Sequence, residues 1–141
     1  MKENESKGYL SQPSRVVSSE LATIFYMPIR QNPEKPGRTL EVAYDAISPL
    51  IESFRPNYIE LVRFEKPGIA AGNHFHSQRS ELMIAVTGEL QVALEDVQTQ
   101  AQQIVELGDG EYAILYVRAG VAHAVTALST DATLRSCLAS W

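Results

Sequence analysis

The residues that could do chemistry are concentrated in the stretch GIAAGNHFHSQRSELMIAVTG, residues 68–88. His74 and His76 stand two positions apart, and on a β-strand such residues point to the same face, so both imidazoles can meet at one point. Glu81 follows the polar link SQRS and begins the next apolar segment, which can run back antiparallel and bring its carboxylate to the same place. Two histidines and one carboxylate form the facial triad that suits a divalent metal ion with open positions.

The third histidine of the chain, His123, lies in the sequence RAGVAHAV, also at the start of an expected strand. All three histidines therefore belong to two short motifs. A lone histidine on a strand is more often a packed or solvated residue than a ligand, whereas a pair at i and i+2 with a nearby glutamate is a far less ordinary pattern. The pattern predicts a functional site.

The elements that must position these residues are short strands. From Tyr58 onward the chain consists of segments rich in β-branched and aromatic residues, most of them separated by Gly, Asp, Asn or Ser. This spacing predicts an all-β sandwich or barrel rather than alternating strands and helices. The turn between two of the strands is expected to be a tight hairpin at Gly88 and Glu89.

The first third of the chain is more irregular. We expect a loose arm over residues 1–20 and a single domain over residues 21–141. Within that domain we expect strands at residues 21–29 and 39–44, a loop at residues 31–38, and at most one or two helical turns in residues 45–54, which Pro49 interrupts.

Composition excludes several classes of protein. The 141 residues include 12 Lys and Arg against 17 Asp and Glu, a net charge of −5, which argues against nucleic acid or an anionic membrane as the main partner. Cys137 is the only cysteine, so no internal disulfide can form. No apolar run approaches the ~18 residues of a membrane span, and the N-terminus lacks the apolar core of a signal peptide. We therefore expect a cytoplasmic protein with a small-molecule ligand.

The histidine stretch resembles the first motif of the cupin superfamily, G-x5-H-x-H-x4-E-x6-G. The matching residues are Gly68, His74, His76, Glu81 and Gly88. The resemblance covers about residues 58–140 and implies a double-stranded β-helix, also called a jelly roll.

The sequence VRAGVAH is similar to the second cupin motif, with Gly120 and His123 in place. Arg118 stands where the family usually has Pro, which is expected to leave the turn looser, and Ala127 stands where Asn is common. In the family, the residues at these motif positions hold Fe, Mn, Ni, Zn or Cu. The resemblance thus implies a metal site formed by His74, His76, Glu81 and His123.

Among cupins, the stretch GNHFH resembles the dTDP-sugar 3,4-ketoisomerases and, more distantly, the dTDP-4-dehydrorhamnose 3,5-epimerases. In those enzymes histidines act as acid and base on a keto sugar without a metal. That resemblance implies that His74 transfers the proton and that Asp131 orients it. Glu81, however, stands where the ketoisomerases have Gln, which favours a metal, and Ala71 stands where those families place an Arg near the phosphates.

Three functions remain open at this point. One is an isomerase or epimerase of a keto sugar, in which a histidine moves a proton next to a carbonyl. Another is an Fe(II) dioxygenase that uses the open positions of the metal. The third is a module that binds a small ligand or a metal without chemistry.

Further residues are candidates for binding the substrate. Arg79 lies beside the histidines and suits an anionic substrate, although a solvated arginine is the commoner case. Tyr112 and Tyr116 share one face of an expected strand and can line the barrel, or pack in the core. Cys137 is expected to be a small buried residue, and its pairing with His123 as a nucleophile has little support.

Both faces of the strand that begins at Glu81 are apolar. Met83 and Ala85 share the face of Glu81, while the other face carries Leu82, Ile84 and Val86. Both faces must be covered, by a second sheet or by a partner subunit, and we therefore expect a homodimer.

Overall fold

A computed structural model describes residues 5–140, and almost all of its regular structure is β-strand. A 3₁₀ helix, Glu5–Ser11, precedes the strands. None of the described residues forms a helix long and apolar enough to cross a membrane. The strands are β1 Arg15–Ser18, β2 Ala22–Tyr26, β3 Arg30–Gln31, β4 Thr39–Leu40, β5 Tyr58–Arg63, β6 Ala70–His74, β7 Arg79–Thr87, β8 Leu90–Asp96, β9 Gln102–Leu107, β10 Ala113–Val117, β11 Val121–Ala127 and β12 Thr133–Ser140.

The strands form two main antiparallel sheets. The larger sheet has six strands in the order β1-β2-β10-β7-β12-β5, and the smaller has four in the order β6-β11-β8-β9. Strands β3 and β4 form a separate small hairpin. Most neighbours in the two main sheets are distant in sequence, as in a jelly roll, so the predicted fold class is confirmed. The two sheets are not hydrogen-bonded to each other through the described strands, and the barrel is open.

The core lies between the two sheets and follows from the period of two along each strand. In β11 the residues at alternate positions are buried, and His123 is in this inward row with Val121 and Val125. Met83 on β7 and Leu115 on β10 are fully buried in the same core. His123 therefore points between the sheets because the apolar residues on either side of it fix the face of β11.

A second apolar layer covers the outer face of the six-stranded sheet. The chain between β4 and β5 crosses this face and buries Phe54, which is 2% exposed, against Leu82 and Ile84. These two residues, which we expected a partner subunit to cover, are thus covered by the same chain. Val86 is 52% exposed. The homodimer stays a prediction, but it no longer follows from the outer face of β7 as a whole.

The expected helical turns in residues 45–54 are not formed. The carboxylate of Asp45 accepts hydrogen bonds from the backbone N–H groups of Ile47 (2.9 Å) and Ser48 (3.3 Å), which bends the chain just before Pro49. An aspartate that bonds to the backbone two residues ahead stabilises a turn and competes with a helix. The segment therefore stays below the expected upper limit of one or two helical turns and forms none.

The expected loose arm contains regular structure within residues 5–20. Strand β1 pairs with β2 from Arg15 against Tyr26 to Ser18 against Thr23, and Leu10 in the 3₁₀ helix is fully buried. Residues 1–4 lie outside the described part of the chain.

Two connections differ from their predicted form. Gly88, whose φ is 71°, lies between β7 and β8, which belong to different sheets, so this turn is not a hairpin. Arg118 was expected to loosen its turn, but its Nη2 donates to the Oδ2 of Asp96 (2.6 Å) and its Nε donates to the carbonyl of Glu20 (3.2 Å). The arginine thus ties three segments together where proline would supply only a fixed φ.

Candidate functional site

Strands β6 and β11 bring two of the histidines face to face. His74, the last residue of β6, pairs with His123 on β11, whereas Gly72 pairs with Ala124. Asn73, with a φ of 65°, is therefore the extra residue of a β-bulge. Because directly paired residues point to the same side of a sheet, the two imidazoles lie side by side, with ring centroids 4.9 Å apart.

His76 follows the end of β6 and closes the group. Its carbonyl accepts a hydrogen bond from the N–H of Gly120 (2.9 Å), which holds the chain beside the turn that precedes β11. The centroid of its ring is 4.9 Å from that of His74 and 5.6 Å from that of His123. One ligand nitrogen from each of the three rings lies within 4.8 Å of the others. The predicted convergence of these imidazoles is present in the structure.

Glu81 reaches the same place from the facing sheet. It lies on β7, which does not pair with β6 as expected, and its carboxylate crosses the space between the sheets. Its Oε2 is 2.9 Å from the Nε2 of His123, and its Oε1 accepts a hydrogen bond from the hydroxyl of Ser136 on β12. Glu81 is only 5% exposed, so these protein groups take the place of water around the charge.

The backbone fixes the orientation of the His123 ring. Its Nδ1 is 3.3 Å from the carbonyl oxygen of Val121, which can only accept, so Nδ1 carries a proton. Nε2 is therefore the nitrogen presented to Glu81 and to the space between the sheets. An imidazole held at one nitrogen by a carbonyl is the usual support of a histidine that works through the other.

The charges of this group shift three pKa values. Burial on its own lowers the pKa of His123, but the hydrogen bond with Glu81 and the charge of that carboxylate outweigh it, so the pKa is raised. Burial on its own raises the pKa of Glu81, but the contact with His123 and the Ser136 hydroxyl outweigh it and lower the pKa. The pKa of His76 is lowered, mainly by burial and further by the charges of His123 and His74. The charge of Glu81 acts in the opposite direction but does not outweigh them.

A cavity of about 280 Å³ opens above these side chains. This volume is just below the ~300–1,000 Å³ range of small-molecule sites. One wall comes from β5, β7 and β12 and the other from β6 and β11 with the segment after β6. The lining residues are Tyr58, Glu60, Val62, Ala71, Gly72, His74, His76, Arg79, Glu81, Met83, His123, Val125, Leu134 and Leu138.

Among the predicted substrate-binding residues, the structure brings only Arg79 to the cavity. Its guanidinium lies over the ring of Tyr58, 5.9 Å from the centroid. Tyr112 and Tyr116 pack instead in the outer apolar layer, and the Tyr112 hydroxyl donates to the carbonyl of Val42 (2.7 Å). Their strand, β10, points its odd-numbered residues Leu115 and Val117 into the core, so its even-numbered residues face outward.

Asp131 does not orient His74. It lies in the turn between β11 and β12, is exposed, and has a φ of 55°. Its carbonyl accepts the hydroxyl of Thr87, which is six residues along β7 from Glu81 and thus about 20 Å away at ~3.3 Å per residue. The carboxylate that orients a histidine here is Glu81, and the histidine is His123.

Sequence reasoning missed three residues of the site. Ser136 is 1% exposed and holds Glu81, while Cys137, the next residue, faces the outer layer away from His123. A buried hydroxyl at an inward position of an apolar strand was the signal for Ser136. Tyr58 is 47% exposed and lines the cavity with Glu60. The hydrogen bond from its hydroxyl to Glu60 and the charge of that carboxylate raise the pKa of Tyr58.

The three imidazoles offer nitrogen donors that suit a divalent transition metal. Two ligands bonded to one ion at about 2.0–2.2 Å lie about 3 to 4.4 Å apart. The 4.8 Å limit for the three imidazole nitrogens exceeds this spacing by a few tenths of an ångström. Glu81 meets this group through His123, at 2.9 Å. Val121 and Ser136 supply the supporting hydrogen bonds that metal ligands usually have.

Fold and site together define an antiparallel jelly roll with a histidine-lined cavity between its sheets. A family model described as the polysaccharide biosynthesis C-terminal domain matches residues 50–139, most of the chain. The chain belongs to this family. No curated protein matches it.

Solved structures with the same fold include enzymes that act on sugars. A 4-keto-6-deoxy sugar epimerase from the novobiocin biosynthetic gene cluster of Streptomyces spheroides is 18% identical, with a TM-score of 0.73 over 95% of this chain and 73% of that chain. The dTDP-6-deoxy-D-glucose-3,5-epimerase of Legionella pneumophila, solved with dTDP-4-keto-L-rhamnose, is 16% identical, with a TM-score of 0.76 over 90% of this chain and 72% of that chain.

A 3,4-ketoisomerase from Thermoanaerobacterium thermosaccharolyticum, solved as a mutant with TDP-4-keto-6-deoxyglucose, is 14% identical. Its TM-score is 0.71 over 88% of this chain and 83% of that chain. At these identities the likeness shows that the fold is shared.

Proposed function

We propose that this chain is a cupin and an isomerase or epimerase that acts on a keto sugar carried by a nucleotide. The observation that carries the proposal is the convergence of His74, His76, His123 and Glu81 at the cavity between the sheets. Imidazole and carboxylate groups can bind a metal or move protons, and here they line a cavity that a small polar substrate can enter. The keto-sugar nucleotides bound in two structures of similar fold support this choice of substrate.

We propose that the four residues hold a divalent transition metal, one of Fe, Mn, Ni, Zn or Cu. Such an ion would act as a Lewis acid that polarises the carbonyl of the sugar. Ser136 and the carbonyl of Val121 fix the carboxylate and the imidazole that face each other. Arg79, which lies at the cavity with its guanidinium over the Tyr58 ring, suits the phosphate groups of the nucleotide.

A metal-free proton transfer is the second candidate, because Glu81 and His123 also form a carboxylate–histidine pair. In such a pair the carboxylate orients the imidazole and stabilises its charged form, as needed by a group that takes up a proton and returns it. His74, which is exposed in the cavity, is then free to contact the sugar and to act as the acid or base.

Turnover with and without metal distinguishes the two candidates. The protein, purified without an affinity tag, is analysed for metals and incubated with TDP-4-keto-6-deoxyglucose before and after a chelator. The proposed metal site predicts about one metal ion per chain and activity that is lost on chelation and restored by one of the five metals. Activity that survives complete metal removal but is lost in His74→Ala supports the second candidate.

Two variants test the site itself. His123→Ala removes a buried member of the site and should abolish turnover. Asp131→Asn changes an exposed carboxylate in the turn between β11 and β12, beside the end of β7 that is far from the site. This variant should leave turnover unchanged. A protein that turns over no keto-sugar nucleotide under any of these conditions contradicts the proposed function.

A further inference from the structure

The proposed metal site leaves the reaction without a group that moves the proton. Seven residues that line the cavity, within the part of the chain that the structure describes, are ionisable. His74, His76, His123 and Glu81 are used as ligands, and Arg79 keeps its proton at any physiological pH. Tyr58 and Glu60, both on β5, are the two that remain.

The register of the strands places Glu60 next to the histidine site. Glu60 pairs with Ser136 on β12, and paired residues have Cβ atoms about 4.5–5.5 Å apart on the same face. The hydroxyl of Ser136 in turn donates to Glu81. A single side chain thus separates Glu60 from the proposed ligand Glu81, and a sugar bound over the site lies within reach of both.

Tyr58 holds the carboxylate of Glu60 in place. The two residues are at i and i+2 on β5, so both point into the cavity, and the Tyr58 hydroxyl donates to the Oε2 of Glu60 at 2.9 Å. This hydrogen bond leaves Oε1 for the substrate. The guanidinium of Arg79 lies over the Tyr58 ring. Tyr58 is therefore in contact both with the Glu60 carboxylate and with Arg79, the residue proposed to bind the phosphates.

We propose that Glu60 is the general base of the reaction and that Tyr58 is the residue that positions it. The proposal rests on the proposed function. In the step, the C–H bond next to the sugar carbonyl breaks and its proton moves to the Glu60 carboxylate. The electron pair of that bond forms the C=C bond of an enolate, and the negative charge rests on the former carbonyl oxygen. In the second step the hydroxyl on the carbon that lost its hydrogen passes its proton to the former carbonyl oxygen. Glu60 gives its proton to the former carbonyl carbon, and the new C=O bond forms at the carbon that lost its hydrogen.

Hydrogen exchange at carbon tests this assignment. TDP-4-keto-6-deoxyglucose is incubated in D₂O with the parent protein, Glu60→Gln and Tyr58→Phe, and deuterium in the sugar is followed by mass spectrometry. A general base typically raises the rate of a reaction by about 10²–10⁴-fold, so Glu60→Gln should slow deuterium exchange by at least about 100-fold. Tyr58→Phe should lower kcat by a smaller factor and leave KM nearly unchanged, because Glu60 is still present. Glu106→Gln, an exposed carboxylate on β9 outside the cavity, is the matched control.

Metal content and the affinity for TDP are measured for each variant. Both should equal those of the parent protein, because neither Glu60 nor Tyr58 is a proposed ligand. If the rate of deuterium exchange by Glu60→Gln is within a few-fold of the parent rate, the assignment of Glu60 as the base is wrong, while the proposed function still holds. Loss of the metal in Glu60→Gln also overturns the assignment, since Glu60 would then support the site instead of acting as base. If the parent protein itself catalyses no deuterium exchange, the proposed function is wrong, and this assignment is wrong with it.

Discussion

Ser136 offers the most direct test of the proposed metal site, because it touches Glu81 without being a ligand itself. Ser136→Ala deletes the hydroxyl that donates to the Oε1 of Glu81 and changes little else in a strand position that is 1% exposed. Water cannot easily replace the lost donor, since Glu81 is buried as well. A hydrogen bond to a charged group contributes about 1.5–3 kcal/mol. Because loss of a hydrogen-bond partner behind a metal ligand typically costs about 10- to 100-fold in metal affinity, the affinity of Ser136→Ala should fall by that factor.

The assay is a competition titration of the metal-free protein and a chromophoric chelator with Zn²⁺, in one buffer at fixed pH. Ser18→Ala, which removes an exposed hydroxyl on β1 far from the site, is the control and should bind as the parent does. Circular dichroism checks that both variants fold. Equal affinity of Ser136→Ala and the parent protein for Zn²⁺ would refute the reasoning, since a ligand that loses its buried support cannot bind unchanged.

Four further outcomes are expected. His76→Ala should weaken Zn²⁺ binding by more than about 100-fold in the same titration and keep the far-ultraviolet spectrum of the parent, because the core is formed elsewhere. Phe54→Ala should lower the free energy of unfolding in urea by about 3–5 kcal/mol, since the ring is fully packed in the outer layer. The pKa of Asp96 is lowered from 3.8 to about 2 by the N–H of Thr99 and then by Arg118, so its contribution to stability is complete above pH 3.8 and is lost as the pH falls towards 2. Urea denaturation at several pH values should therefore show Asp96→Asn less stable than the parent at pH 6 and nearly equal to it at pH 2. Light scattering at micromolar concentration should give a dimer, and a mass near 15.6 kDa would contradict that prediction.

The features that the sequence predicted are those governed by local patterns. Short segments with β-branched residues between glycines predicted the strands from β7 to β12, because a strand needs only its own side chains to be recognisable. The approach of His74 and His76 followed from their spacing alone. Glu81 was identified from its distance along the chain, although it reaches the histidines across the two sheets and not along a hairpin.

The features that the sequence did not predict depend on which strands pair. Tyr112 was expected to line the barrel or to pack in the core, and the choice depends on the neighbours β2 and β7, which fix the face that β10 turns inward. Asp131 was placed beside His74, whereas the register of β12 against β7 puts it at the opposite end. Glu60 and Ser136 went unnoticed, since their common row exists only once β5 and β12 are aligned. Such long-range register has no signal in a single sequence.

The bulge at Asn73 bears on how this chain is to be compared with its relatives. Two steps along β6, from Gly72 to His74, match one step along β11, so the strand holds one residue more than the pairing needs. A homologue that lacks residue 73 can therefore place the same imidazole opposite His123 with an unbroken ladder. An alignment that forces equal motif lengths would misplace every residue before the bulge by one position and exchange the two faces of the strand. Length variation between Gly68 and His74 is thus compatible with an unchanged site, and a one-residue gap belongs at position 73.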